Sequence, residues 1–242
     1  MHNEGFTMLK YQEIAESIED HIQTKSLKQG DKLPNLEEFV AEYAVSKSTI
    51  RKALELLESK GAIYQLRGSG IFVRSLKRRG YIDLGFSRGF KTDLGEFEMT
   101  TQVLAVEVRK ACPEVAGNLN IETGNAIYYV KRLRFIHGQT LCVEESHYDK
   151  SVVPYLNKEI ATDSIFYYLR TGLKLSLGFS DTYFNVGKIN EEEAELLNLE
   201  IGEPKLKLEN IFYLATGQAF NYSRTTYNYQ QSQFFIQATS NG

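Results

Sequence analysis

The sequence has only two cysteines, Cys112 and Cys142, and no long apolar run. Two cysteines are too few for a disulfide framework, and their apolar or extended surroundings indicate two buried free thiols. No apolar stretch approaches the roughly 20 residues that a membrane-spanning helix needs. The first fifteen residues, MHNEGFTMLKYQEIA, lack the apolar core of a signal peptide. We therefore expect a cytoplasmic protein with no membrane partner.

Histidines are also scarce. His2, His21, His137 and His147 show no metal-binding spacing such as H-x-x-x-H. No nucleophile and base stand in a recognisable catalytic arrangement. We therefore expect no catalytic residue, no metal and no cofactor.

The 242 residues are enough for two modest domains, and their charge is unevenly distributed. Residues 1–79 contain 13 Lys and Arg against 11 Asp and Glu, whereas the remainder contains 15 against 20, for a net charge of −3. Between Lys47 and Arg79, nine cationic residues are opposed only by Glu55 and Glu58. A basic block on an acidic chain indicates a module that binds a polyanion.

The first part of the chain has the order of a winged helix-turn-helix domain. Apolar spacing predicts helices at residues 10–24, 36–43 and 46–59. Residues 27–35, LKQGDKLPN, are predicted to form a turn region. Residues 62–73 are predicted to form two short strands around a Gly-Ser-Gly turn.

The third of these helices has two contrasting faces. Ile50, Ala53, Leu54 and Leu57 share an apolar face that can hold the helix on its own domain. Short polar and cationic side chains on the other side suit the major groove of DNA. For this helix alone a solvated charged face is an equal alternative, but the whole order of elements favours DNA. The candidate DNA contacts are Ser46, Lys47, Ser48, Thr49, Arg51 and Lys52 on the helix, with Arg67 and Gly68 in the hairpin turn.

A second domain is predicted to follow a basic linker. Residues 74–80, RSLKRRG, separate a DNA-binding domain at 1–73 from a domain at 81–242. Six alternating, aromatic-rich segments in the second domain predict strands, and PEVAGNLN, DSIFYYLRT and NEEEAELLNLE predict helices. A mostly antiparallel sheet with flanking helices places the fold in the α+β class.

Charged residues in two predicted strands indicate a site for a small anion. Arg132 and Arg134 share one face of their strand, and two guanidinium groups suit a phosphate or a carboxylate. A solvent-facing basic edge is the commoner alternative. Glu144 and Glu145 fall on opposite faces of the next strand, so they are not a paired acid and base. Either one could face a ligand hydroxyl or pair with an arginine.

Residues 10–74 resemble the winged helix-turn-helix of GntR-type bacterial transcription regulators. The resemblance is carried by GDKLP at 30–34, VSKSTIRKAL at 45–54 and RGSGIFV at 67–73. It implies that Ser46, Lys47, Ser48, Thr49, Arg51 and Gly68 contact DNA. Glu37 and Lys47 stand where the family commonly has arginines, so the operator sequence should depart from the family norm.

Residues from about 80 to 240 resemble the UTRA effector-binding domain of the HutC subfamily, which shares its fold with chorismate lyase. The matching stretches are RLRFIHGQTLCVEESHY, SIFYYL and AFNYSRTTYNY. The resemblance to sugar-phosphate sensors implies that the arginines and Ser164 hold a phosphate, and that Glu144 and Asn221 hold hydroxyl groups. In this chain Phe166 replaces a tyrosine and Asn221 replaces a common glutamate. The implied effector residues are Arg132, Arg134, Glu144, Ser164, Phe166, Asn221 and Tyr227, with Ser87, Arg88 and Lys91 from the loop at 85–93.

The leading hypothesis is a ligand-responsive repressor. It would bind a near-palindromic DNA operator as a homodimer and leave it when a small anionic metabolite, such as a sugar phosphate, binds the second domain. The alternatives are a chorismate-lyase-like enzyme and a constitutive DNA-binding protein without an effector.

Overall fold

The computed structural model describes residues 9–74, 80–84 and 97–236. These residues belong to two compact units, of which the second covers Gly80–Ile236. Of the expected linker, residues 75–79 lie outside the described residues.

Three helices and a small sheet make up the first unit. The helices are α1 (Lys10–Thr24), α2 (Leu36–Tyr43) and α3 (Lys47–Ser59). The antiparallel sheet has the order β1-β3-β2, with β1 at Lys32–Leu33, β2 at Ile63–Leu66 and β3 at Gly70–Val73. The predicted helices and hairpin are confirmed, each to within about a residue.

The predicted turn at residues 27–35 also contains a strand, which corrects the sequence prediction. Lys32 and Leu33 pair with Phe72 and Ile71 on β3. Two residues are too few for an alternating pattern to be visible in a sequence. Burial of the Leu33 side chain against the core holds this short strand in place.

Capping side chains determine where α2 and α3 begin. Asn35 accepts a hydrogen bond from the backbone N–H of Glu37 at 2.9 Å, and Ser46 accepts one from Thr49 at 3.2 Å. Caps of this kind each contribute about 1 kcal/mol. Between the two helices Ala44 has a left-handed conformation with φ of 50°, and this conformation turns the chain sharply from α2 into α3.

One apolar cluster holds the first unit together. Ile14 and Ile18 on α1 and Ile50 and Leu54 on α3 are at most 2% exposed, and Phe39 on α2 joins them. Burying each such side chain contributes about 1.5–3 kcal/mol. Because one face of α3 is fixed in this way, its other face has a defined orientation.

A six-stranded antiparallel sheet dominates the second unit. Its strand order is β5-β6-β7-β10-β9-β8. The strands are β5 (Met99–Lys110), β6 (Ala126–Ile136), β7 (Gln139–Asp149), β8 (Leu177–Lys188), β9 (Pro204–Leu214) and β10 (Ala219–Asn228). The six predicted strands and the α+β fold class are confirmed.

Helices cover both faces of this sheet. The inner face, defined as the side that carries Arg132 and Arg134, packs through Val130 and Phe220 against α5 and α6. The outer face packs against α4 and α7. The bounds are α4 (Pro113–Leu119), α5 (Lys158–Thr162), α6 (Ile165–Thr171) and α7 (Glu191–Leu197). The sequence prediction missed α5, since five residues are too few to show helical periodicity.

A two-stranded parallel pair, also absent from the sequence prediction, joins distant parts of the second unit. Its strands are β4 (Ile82–Asp83) and β11 (Phe234–Phe235). The backbone N–H of Ile82 donates to the carbonyl of Gln233 at 2.7 Å. The pair therefore ties the segment just after the linker to the end of the described chain.

The two cysteines differ in exposure. Cys142 is buried in β7, whereas Cys112 is exposed at the residue before α4. The prediction of a buried thiol is confirmed for Cys142 and wrong for Cys112, which lies in a surface connection rather than inside a strand.

Candidate functional site

The two faces of α3 separate as the spacing predicts. Its apolar residues lie in the core, while Lys47, Ser48, Arg51 and Lys52 are exposed. The structure thus presents short hydroxyl and long cationic side chains together on one rigid helix. That combination suits phosphates and base edges in the major groove.

Hydroxyl groups crowd the beginning of α3. The Oγ of Ser46 lies 2.8 Å from the Oγ of Ser48 and 2.9 Å from the Oγ1 of Thr49. Ser46 also caps the helix, so the same side chain fixes the helix start and positions two further hydroxyls. Ser46 and Ser48 are exposed, and Thr49 is half-buried.

The hairpin turn between β2 and β3 presents a bare backbone. Arg67 and Gly68 are exposed, and Gly68 has φ of +78°, in the left-handed region that favours glycine. Among the described residues, no atom outside Gly68 and its two chain neighbours lies within 4 Å of the position that a Cβ would take there. This tip can approach a sugar-phosphate edge closely, with Arg67 beside it.

The two departures from the family pattern are in contact with each other. Lys47 Nζ lies 2.5 Å from Glu37 Oε1, although the two side chains are 57% and 64% exposed. An exposed ion pair adds little to stability. Its consequence is electrostatic, because Glu37 offsets the charge of one cation at the start of α3.

On the inner face of the second unit, strand register brings the predicted polar residues together. Arg132 on β6 lies opposite Glu144 on β7, and Glu144 lies opposite Thr225 on β10. Asn221 and Tyr227 on β10 share that face, at even spacing from Thr225.

Two arginines share one carboxylate in this face. Arg132 Nη2 lies 2.7 and 2.8 Å from the two oxygens of Glu144, and Arg134 Nη2 lies 3.3 Å from its Oε2. Ser146 donates to Glu144 Oε1 at 3.0 Å. Arg132 also donates to the Ala161 carbonyl of α5 at 3.0 Å. All three charged side chains are buried.

The shared carboxylate is held in its charged form. Burial raises the pKa of Glu144, but the facing Arg132 and Arg134 outweigh it and bring the pKa down to about 2. Burial, and then repulsion by Arg132, lower the pKa of Arg134. The three side chains carry two positive charges and one negative charge, which is an environment suited to an anionic ligand.

Glu145 faces away from this cluster. It forms an ion pair with Lys131 at 3.1 Å and accepts a hydrogen bond from the Tyr129 hydroxyl at 3.1 Å. The two glutamates therefore serve opposite faces, as their spacing predicts, and Glu144 is the one that pairs with the arginines.

The other candidate residues have different surroundings. Ser164 caps α6 by accepting from the Tyr167 N–H at 3.2 Å, so its hydroxyl is already engaged. The Phe166 ring packs against aromatic neighbours, and the Tyr227 ring packs against Phe234 at 4.8 Å. Ser87, Arg88 and Lys91 lie outside the described residues.

Three buried polar atoms on the inner face have no hydrogen-bond partner among the described residues. They are Arg132 Nε, the Tyr148 hydroxyl and Asn221 Oδ1. The Asn221 side chain makes one hydrogen bond within the described part of the chain, from its amide nitrogen to the His147 carbonyl at 3.1 Å. Burial raises the pKa of Tyr148 to about 12. Sequence reasoning missed Tyr148, although its even spacing from Glu144 on β7 was the available signal.

In the part of the chain that the structure describes, no helix is long and apolar enough to cross a membrane. No group of three or more His, Cys, Asp or Glu among those residues is placed to hold a metal ion.

Two family models match the chain. The model for bacterial regulatory proteins of the gntR family matches residues 10–73, and the UTRA domain model matches residues 95–232. The chain belongs to the GntR family of bacterial transcription regulators. The resemblance seen in the sequence is thereby confirmed for both halves.

This GntR-family chain has relatives that it matches over nearly its whole length. It is 60% identical to the HTH-type transcriptional regulator YydK of Bacillus subtilis over 96% of this chain and 99% of that protein. A crystal structure of YydK superimposes with a TM-score of 0.87, over 96% of this chain and 100% of that one, at 59% identity. The chain is also 27% identical to the mannosyl-D-glycerate transport/metabolism system repressor MngR of Escherichia coli, over 93% and 94%.

These family models and relatives are those of transcription regulators, not of enzymes. The prediction of a regulator is therefore confirmed, and the chorismate-lyase-like enzyme is not supported.

The shared carboxylate leads to a stability prediction. Glu144→Gln should lower the free energy of unfolding by about 3–5 kcal/mol, because it leaves two guanidinium groups in the interior without their anion. Glu145→Gln is the matched control, since its ion pair is partly exposed and should be worth about 0–1 kcal/mol. Urea unfolding followed by circular dichroism measures both. Equal losses in the two variants would contradict the assignment.

Acid should destabilise the folded protein through the same Glu144 carboxylate. The pKa of Glu144 in the folded state lies below its ordinary value of 4.5. The contribution of this carboxylate to the free energy of unfolding is therefore complete above pH 4.5 and is lost as the pH falls toward 2. The Glu144→Gln variant should lack this part of the acid sensitivity.

Proposed function

We propose that this protein is a repressor that binds a near-palindromic operator as a homodimer and is released by a small anionic metabolite such as a sugar phosphate. Its place of action would be the cytoplasm. The observation that carries the effector half is the set of buried, unpartnered polar atoms beside two buried arginines on the inner face. A polar ligand that forms those hydrogen bonds would remove the free-energy penalty of leaving these buried atoms without a partner.

The dimensions of this polar patch fit a small ligand. Glu144 and Tyr148 are four residues apart on β7, which corresponds to about 13 Å along a strand. A phosphate or carboxylate would lie at Arg132 and Arg134, and hydroxyl groups would reach Tyr148 and Asn221. The Escherichia coli relative MngR is named as the repressor of a mannosyl-D-glycerate transport/metabolism system, and glycerate is a carboxylate.

The DNA half of the proposal rests on the exposed face of α3 and on the hairpin tip. The proposed contacts are Ser46, Lys47, Ser48, Thr49, Arg51, Lys52, Arg67 and Gly68. Effector binding would act through the linker at 74–80 and change how the two DNA-binding units of the homodimer are arranged. The population would thereby shift away from the operator-bound form.

The homodimer has a candidate surface in β8. This strand lies at one end of the sheet order, and Phe179, Tyr183, Phe184 and Val186 on it are each more than half exposed. Edge strands with exposed apolar side chains pair readily with another strand. We propose that a second copy of the chain aligns with β8.

Arg51 provides the test of DNA binding. Arg51→Ala should weaken binding to a duplex selected by the wild-type chain from a random pool by about tenfold, and should reduce the salt slope by about one. Lys25→Ala, which removes an exposed cation after α1, is the control and should change little. Fluorescence anisotropy at several salt concentrations measures both, and an unaltered affinity for Arg51→Ala would remove it from the interface.

Tyr148 distinguishes an effector site from a purely structural core. Tyr148→Phe deletes a buried hydroxyl that has no partner, so thermal stability should stay the same or rise. Release of bound operator by a panel of hexose 6-phosphates should nevertheless need about ten times more ligand, the loss expected for one hydrogen bond to an anionic or hydroxylated ligand.

Two outcomes of that measurement would count against the proposal. Unchanged release from the Tyr148→Phe variant would remove this hydroxyl from the site. Failure of every sugar phosphate to release the wild-type chain would favour a constitutive DNA-binding protein.

The dimer surface is tested by placing a charge on each edge of the sheet. Val186→Lys on β8 should shift the full chain toward the monomer in sedimentation velocity, because it buries an unpaired cation in the interface. Val108→Lys on the opposite edge strand β5, where the side chain is also exposed, should leave the dimer intact. A dimeric Val186→Lys variant would place the contact elsewhere.

A further inference from the structure

A cavity of about 630 Å³ opens on the inner face near the β8 edge of the sheet. Its size lies within the range of about 300–1,000 Å³ that small-molecule pockets occupy. Five phenylalanines contribute to its wall, namely Phe166, Phe179, Phe184, Phe212 and Phe220. We call it the Phe166 cavity.

Phe166 joins this cavity to the predicted effector site. Its ring lies edge-on to Phe212 at 4.8 Å and 6.2 Å from Phe220. Phe166 is also the position where this chain departs from a family tyrosine. The ring therefore serves as part of an aromatic wall and offers no hydroxyl to an anion.

The register of the strands places the buried polar groups of the inner face next to the Phe166 cavity. Asn221, with its unpartnered Oδ1, lies directly opposite Phe212 on the adjacent strand β9. Side chains at opposite positions of neighbouring strands are about 5 Å apart at Cβ. Across the inner face, β6 with the buried arginines is followed by β7, then by β10 with Asn221, and then by β9 with Phe212 at the cavity wall.

The polar groups on the cavity wall already have partners. Thr182 donates to Asn210 Oδ1 at 2.7 Å, and Arg170 and Ser180 are each engaged in an interaction. A second sugar ring in this enclosure would bring several hydroxyl groups without matching partners, which is unfavourable. An aromatic ring has no such requirement and can pack edge-on or offset against the phenylalanines.

We propose that the Phe166 cavity binds the aryl group of an effector that is an anionic, phosphorylated aryl glycoside. The phosphate would lie at the arginines, the sugar over Tyr148 and Asn221, and the aryl group among the phenylalanines. This inference deepens the proposed function and rests on it.

Matched ligand pairs test the inference on the full chain. Phenyl and methyl β-glycoside 6-phosphates of the gluco, galacto and manno series differ only in the group that would enter the cavity. Isothermal titration should show the phenyl member of the best pair binding about ten to a hundred times more tightly, as expected from burying a phenyl group. Equal affinities within that pair would overturn the inference.

Two cavity variants and one control test whether the preference for the phenyl compound arises in the Phe166 cavity. Thr182→Trp fills the cavity and should abolish the preference for phenyl while the methyl compound still binds. Phe166→Tyr, which adds one hydroxyl to the wall, should reduce the preference several-fold and covers the case in which Thr182→Trp fails to fold. Tyr167→Trp alters the residue next to Phe166 on α6, which is 65% exposed and does not line the cavity, and should keep the preference. A full preference in Phe166→Tyr would overturn the assignment.

The outcomes separate the two proposals. If the methyl compound binds and releases operator while phenyl adds nothing, the cavity inference falls and the anionic effector stands. If no member of any pair binds, both are overturned.

Discussion

The inner face of the sheet depends on one buried carboxylate. Two guanidinium groups on the same strand would repel each other in the interior, where an unpaired ion costs several kcal/mol. Glu144 lies opposite Arg132 and is kept charged by both arginines. Hydrogen bonds then connect the arginines to α5, through the Ala161 carbonyl, and to β5, through Thr101. The same cluster therefore anchors neighbouring elements, and under the proposed function its guanidinium groups would bind the anion.

This arrangement is costly without a ligand. A buried donor or acceptor that makes no hydrogen bond costs about 1–3 kcal/mol, and Arg132 Nε, the Tyr148 hydroxyl and Asn221 Oδ1 are three such atoms among the described residues. A core selected only for stability would replace them with apolar groups. Their placement beside an aromatic cavity would suit the proposed ligand, which has a polar part and an apolar part. The family resemblance implies a tyrosine at position 166 and a glutamate at position 221, and under the proposed function Phe166 and Asn221 would favour an effector of this mixed character.

Sequence reasoning succeeded where backbone geometry fixes the result. Side chains alternate along any strand, so the positions of Arg132, Arg134 and Glu144 in the sequence already define the faces on which they lie. Their pairing depends on the register between β6 and β7, which no local pattern reveals. In the same way, the contact of Glu37 with Lys47 depends on the left-handed turn at Ala44. The elements that were missed, β1, α5 and the β4–β11 pair, are two to five residues long and are stabilised by tertiary contacts rather than by periodicity.

The β4–β11 pair provides a physical route by which the inner face can influence the linker. Tyr227 lies beside Cys142 on the same face as Arg134, and its ring meets the Phe234 ring edge-on at 4.8 Å. Phe234 pairs with Ile82, which follows the linker by two residues. Closely packed aromatic groups cannot shift independently. Under the proposed function, a ligand that displaces Tyr227 would therefore act on the strand pair at which the linker ends, and this coupling would need no contact between ligand and DNA-binding unit.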